Sequence, residues 1–176
     1  MRTLLLGGAR SGKSTLAVQM GERQSAPVTF VATAEPFDDD LRERVERHRL
    51  ERPPHWTTVE CPVQLHEAVD AAPADHFVIV DCLTVWLGNL FAHLPSAGAR
   101  TDAAAALCDA LRRRDGDIVV VSNEVGMGVH PETAMGRDYR DELGRLNQSV
   151  AALADTTLLL VAGRALRLTD PRELLG

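Results

Sequence analysis

Gly7-Gly8-Ala9-Arg10-Ser11-Gly12-Lys13-Ser14 is the stretch from which the fold is read. It fits G-x-x-x-x-G-K-[ST] and stands where that pattern has a mechanism, after the apolar run 2–6 and before a helically spaced stretch, 13–22. Glycines let successive backbone N–H groups turn inward around phosphate oxygens, and the helix N-terminus adds its partial positive charge. Lys13 is then placed to reach the β- and γ-phosphates, and Ser14 to offer its hydroxyl to Mg²⁺. The chain has eighteen arginines and a single lysine, Lys13. A compact ammonium on a flexible stem does what a planar guanidinium cannot. The whole stretch from Gly7 to Ser14 is therefore a candidate nucleotide cradle. A glycine turn beside a surface lysine is the plainer reading, and it leaves the flanking strand and helix unexplained.

Outward from the loop, strand and helix signals alternate to the end of the chain. Strands are expected at 28–33, 56–61, 77–81, 117–122 and, last and buried, 156–162. Helices are expected at 38–52, 63–71, 82–93, 102–114 and 133–154, with 94–101 as a loop rich in Pro, Gly, Ser and Ala. This is the order of an α/β fold: a P-loop, RecA-like three-layer sandwich with a mainly parallel sheet and helices on both faces. Neither an internal repeat nor a dividing linker is visible, so residues 1–176 are expected to form one catalytic domain. Parallel sheets hold ligands at the carboxyl ends of their strands. Here those ends carry Gly7, Thr33, Asp81, Asn123 with Glu124, and Gly163.

A formal charge of −6 disfavours nucleic-acid binding by bulk electrostatics. No apolar run approaches the ~18 residues of a membrane span. Cys61, Cys82 and Cys108 are too far apart in sequence for a metal knuckle, so a reduced cytoplasmic protein is the default expectation. An Asn-Lys-x-Asp guanine-reading motif cannot be built without a second lysine, which disfavours a signalling GTPase.

Asp81 closes the apolar run 77–80 and has the placement of a Walker B acid that holds Mg²⁺ directly or through water. The competing role is an N-cap for the helix that follows. Eleven of the fifteen residues at 38–52 are charged, so most of that helix is solvated. Its one coherent stripe is Leu41, Val45, His48 and Arg52. Taken alone, a histidine on such a stripe is more often a packing residue than a nucleophile.

The blocks at 7–14, 32–35, 38–39, 44–49, 52–56, 80–84, 123–128 and 144–148 together resemble one family, and the match runs in order over nearly the whole chain. It is the bifunctional adenosylcobinamide kinase / adenosylcobinamide-phosphate guanylyltransferase family of cobalamin assembly. The resemblance implies two reactions: phosphorylation of adenosylcobinamide by ATP or GTP, then transfer of GMP from GTP to adenosylcobinamide phosphate with release of pyrophosphate. It makes His48 the residue that carries GMP covalently. It draws Thr33, Ala34, Glu35, Arg52, Pro53, Pro54, His55 and Glu60 to the nucleotide, although a turn at 33–35 and an exposed strand acid at 60 serve as well. It also implies a homotrimer. Asn147 and Gln148 either face the site or lie on a solvated helix, and Trp56 and Trp86 are expected in the core.

One departure concerns the last strand, after which family members often carry Gly-x-Pro and this chain reads Gly163-Arg164-Ala165. Two other classes remain compatible with the P-loop. One is a simpler small-metabolite kinase with a structural His48; the other is a RecA-like ATPase or binding module in which nucleotide drives conformation.

Overall fold

The computed structural model describes residues 1–35 and 52–175. Its sheet has seven strands: β1 (Arg2–Gly7), β2 (Val28–Ala32), β3 (Thr57–Glu60), β4 (Phe77–Asp81), β5 (Ile118–Val121), β6 (Thr156–Val161) and β7 (Arg164–Leu168). Their order is β3-β2-β4-β5-β1-β6-β7. Every neighbouring pair is parallel except β6 and β7. Among the described residues five α-helices intervene: α1 (Lys13–Glu22), α2 (Leu65–Ala71), α3 (Leu83–His93), α4 (Ala97–Arg113) and α5 (Ala134–Ala151).

The central strands are apolar without alternation because both faces are covered. Leu4, Val78, Val80, Ile118 and Val120 turn one way, against Trp86, Leu90, Leu107, Leu111 and Leu143 of the helices. Leu5, Phe30, Ile79, Val119 and Val121 turn the other way, against Ala17 and Trp56. Both tryptophans are core residues, as expected. Gly21 of α1 is required by this packing, since a Cβ there would lie 2.7 Å from the Trp56 ring. The result is the three-layer α/β sandwich read from the sequence.

Two expectations are corrected. The stretch 94–101 is not all loop: Ser96 caps α4, accepting from the Ala99 N–H, and the helix begins at Ala97. The Arg100 guanidinium holds that first turn, donating to the Leu94 and Pro95 carbonyls and to Glu142 of α5. Tertiary contacts thus override the helix-disfavouring Gly98. Nor is β6 the last strand, and of its residues only Leu160 is buried. Ala162 and Gly163, at φ 50° and 71°, form a two-residue turn with the positive φ values of a type I′ hairpin, so the chain returns as the exposed antiparallel strand β7. The expected helix at 38–52 lies outside the described residues, apart from Arg52.

Candidate active site

β1 delivers Gly7 to the carboxyl edge of the sheet at φ 149°, where a Cβ would stand 2.3 Å from the Leu160 carbonyl oxygen. A side chain at this position is therefore excluded by backbone, which cannot move aside. The loop is pinned on both flanks. The Glu124 N–H donates to the Gly7 carbonyl at 3.1 Å, and the Gly163 N–H donates to the Ser11 carbonyl at 3.1 Å. Gly8, Ala9 and Arg10 are exposed at the crest, with Arg10 in the left-handed region at φ 57°. Gly12, at φ 98°, is the N-cap of α1, and no side chain caps the helix there. The helix end is thus presented with its dipole aimed at the loop.

Lys13 is 6% exposed. Its Nζ donates to the Gly8 carbonyl at 2.7 Å and to Ser11 Oγ at 3.3 Å, so the ammonium lies curled beneath the cradle. Burial lowers its pKa, while the fields of Cys82 and Asp81 act in the opposite direction. A cation already stripped of much of its water is well placed to meet phosphate oxygens.

Asp81 ends β4 between β2 and β5, in the interior of the sheet. Cys82, not Asp81, is the N-cap residue of α3, and no side chain caps that helix. Thr33 fixes this corner. Its N–H donates to the Asp81 carbonyl at 3.1 Å; its hydroxyl accepts from the Cys82 N–H and donates to the Cys82 carbonyl, both at 2.8 Å. Asn89 of α3 then donates to the Thr33 and Pro62 carbonyls at 2.7 and 3.0 Å.

A cleft of about 360 Å³ opens beside the cradle, lined by Ser14, Thr15, Val18, Gln19, Glu22, Phe30, Arg52 and Asp81. The Arg52 guanidinium lies 3.8 Å above the Phe30 ring centroid, a cation–π contact. Of the residues expected from sequence, Ser14, Asp81 and Arg52 meet in this cleft, with Lys13 behind Ser14 in the chain. Others stand apart from its walls. Thr33 is fully buried and acts through the Asp81–Cys82 corner. Glu35 Oε2 accepts a 2.8 Å hydrogen bond from His93 Nε2. Pro53 joins the turn closed by the Trp56 N–H; Pro54, His55 and Glu60 are exposed, Glu60 on the edge strand β3. His48 lies outside the described residues. Asn147 is buried beneath the end of β5, accepting from Ser122 Oγ and donating to the Asn123 carbonyl, whereas Gln148 is exposed.

Sequence reasoning missed Phe30 and the α1 wall. The signal was available, because Ser14, Val18 and Glu22 follow one another at four-residue steps on the helix that leaves the cradle. The Ser14 hydroxyl and the Asp81 carboxylate are hard oxygen donors suited to Mg²⁺. No cluster of three or more His, Cys, Asp or Glu able to hold a metal occurs among the described residues. Such a sparse donor set fits a cation that takes its remaining ligands from phosphates and water.

The model of the cobinamide kinase / cobinamide phosphate guanyltransferase family matches residues 3–168. The bifunctional adenosylcobalamin biosynthesis protein CobP of Pseudomonas aeruginosa is 41% identical over 165 residues, spanning 93% of this chain and 94% of that protein. CobU of Salmonella typhimurium, also described as a bifunctional adenosylcobalamin biosynthesis protein, is 36% identical over 178 residues, spanning 93% and 97%. Among solved structures, the RadB recombinase superposes with a TM-score of 0.53 at 17% identity, covering 90% of this chain and 73% of that one. That likeness concerns the fold alone, and it is the RecA-like P-loop fold.

Proposed function

The chain belongs to the cobinamide kinase / cobinamide phosphate guanyltransferase family, and from that premise we propose that it performs both reactions of a bifunctional adenosylcobalamin biosynthesis enzyme within one domain, residues 1–176. In the first, the hydroxyl oxygen of adenosylcobinamide bonds to the γ-phosphorus of ATP or GTP; the nucleoside diphosphate leaves and the hydroxyl proton is lost. In the second, a neutral His48 imidazole nitrogen bonds to the α-phosphorus of GTP and pyrophosphate leaves. A phosphate oxygen of adenosylcobinamide phosphate then displaces the imidazole, giving adenosylcobinamide-GDP and restoring His48.

The phosphate loop holds the triphosphate through backbone N–H groups, and Lys13 neutralises charge that builds toward the leaving group. Mg²⁺, when bound at Ser14 and Asp81, supplies further charge neutralisation on the phosphates. Gly7 and Gly12 allow the loop its positive-φ backbone, and Gly7 also lets it approach the Leu160 carbonyl. Thr33 holds the corner that aims Asp81. Arg52 carries a permanent positive charge into the same cleft, where it offsets repulsion between the two anionic substrates.

Arg52 is the observation that carries the guanylyl-transfer half. It stands four residues beyond His48 in sequence, yet its guanidinium is on the cleft wall with Ser14 and Asp81. Four residues of chain span at most about 14 Å, and that short separation from Arg52 supports assigning His48 to chemistry at the same cleft.

The test is GTP labelled at the α-phosphate. Wild type is expected to form an acid-labile, alkali-stable adduct that maps to His48 and is discharged by adenosylcobinamide phosphate. His48→Ala should lose the adduct and keep kinase activity; Lys13→Ala should lose nucleotide binding altogether. An enzyme that phosphorylates cobinamide with no adduct would remove the covalent step. The reading includes a homotrimeric assembly in the cytoplasm, for which light scattering of the purified protein is the check.

A further inference from the structure

One block singled out in the sequence takes no part in the chemistry above: the segment 123–131 and the start of α5. It is fastened at both ends. The Asn123 N–H donates to Thr84 Oγ1 at 2.8 Å, and the Glu124 N–H donates to Gly7 of the phosphate loop at 3.1 Å. At the far end, Arg137 Nη1 donates to the Pro131 and Glu132 carbonyls at 3.1 and 2.8 Å. Between these anchors the apolar side chains face outward: Met127 is 81% exposed, Val129 93%, and Met135, in the first turn of α5, 67%.

Exposed apolar side chains are ordinary when scattered. Three within nine residues, two on a loop hydrogen-bonded to the phosphate cradle and one at the start of the next helix, lie beyond the edge of the sheet where ligands collect. The nucleotide is a poor occupant, because none of the three offers a strong donor or acceptor to base, ribose or phosphate. The other substrate of the proposed reactions suits it. A corrinoid is a broad macrocycle whose faces present much apolar surface, and methionine adapts to such irregular shapes. Among the described residues Arg137 meets carbonyl oxygens and no carboxylate, which leaves a cation at the foot of the loop for an acceptor that becomes a phosphate, while the Glu124 carboxylate of the same loop is turned onto the Gly126 N–H.

We infer that Met127, Val129 and Met135 form the surface on which the corrinoid ring docks, with its reacting hydroxyl or phosphate directed toward the phosphate loop. This rests on the corrinoid reading of the function. These residues bind the acceptor and do not touch the phosphorus being transferred, so their effect belongs in acceptor affinity.

The experiment compares wild type with the double variant Met127→Ser/Val129→Ser. Adenosylcobinamide, which is coloured, is followed by equilibrium dialysis. GTP affinity, kinase kinetics, thermal melting and light-scattering mass are measured alongside. The expected result is a corrinoid Kd and KM raised at least about tenfold, equivalent to ~1.4 kcal/mol, with kcat, GTP affinity, melting and mass unchanged. Unchanged acceptor affinity overturns the assignment. So does a fall in assembly mass, which would make the patch a contact between copies of the chain. If wild type itself neither binds nor phosphorylates adenosylcobinamide, the functional reading fails first and the docking surface falls with it.

Discussion

Thr33→Val is the substitution whose outcome follows most directly from the geometry. Valine has nearly the shape of threonine, so the fully buried site stays filled, and what is removed is the hydroxyl. That hydroxyl is the acceptor for the Cys82 N–H and a donor to the Cys82 carbonyl. The carbonyl keeps a second partner, the Trp86 N–H at 3.1 Å, so only the N–H is stranded. A stranded buried donor costs about 1–3 kcal/mol, and loss of the remaining bond about 0.5–1.5 kcal/mol, which together make roughly 1.5–4.5 kcal/mol. Thr33→Ser keeps both bonds and deletes one methyl, a loss of about 1 kcal/mol. Urea unfolding measures both. With a slope of about 2 kcal/mol/M, valine should lower the midpoint by roughly 0.8–2.2 M, and serine by about 0.5 M. A valine variant as stable as the serine variant would refute the claim that this hydroxyl holds the Asp81–Cys82 corner.

Tyr139 is the only tyrosine, so ultraviolet phenolate absorbance reads it alone. Burial, then the field of Cys82, pushes its pKa from 10.0 up to about 12, and its phenol donates to the Thr84 carbonyl at 2.8 Å. The neutral phenol is the form the native state favours. Its contribution to stability is complete below pH 10 and is lost as pH rises from 10 toward about 12. A native titration midpoint indistinguishable from that in urea would contradict this. Arg100→Leu should cost about 3–5 kcal/mol in calorimetry or denaturant unfolding, since it leaves the Glu142 carboxylate half-hidden without its partner. Adding Glu142→Leu should restore part of that loss; strict additivity of the two would show that the pair is not coupled.

Much of the architecture was legible because its causes are local. The glycine cradle, the continuous apolar run at 77–80 closed by Asp81, and the helical spacing after Lys13 each carry their own physical signature. Where reading failed, the cause was non-local. Nothing near Gly98 announces that Arg100 will bond to Glu142, more than forty residues away, and hold α4 open from Ala97. The Ala162-Gly163 turn is a modest hairpin signal, and the strand after it lacks a buried face to give it a clear alternation. Thr33 and Asn147 read as possible ligand contacts because a polar residue at a strand end or on a helix carries no mark of whether its partner is a substrate or a neighbouring backbone.

The amino-acid sequence by itself determined the P-loop and the α/β class, since both depend on residue types at fixed short spacings that only certain backbone shapes satisfy. It also singled out one lysine among nineteen cationic side chains. Tertiary structure alone decided which strands are neighbours, that Asp81 is not a helix cap, and that Arg52 lies on Phe30 beside Ser14. Those facts depend on crossover connections and side-chain packing between segments far apart in the chain, and no local pattern encodes the distance across a sheet.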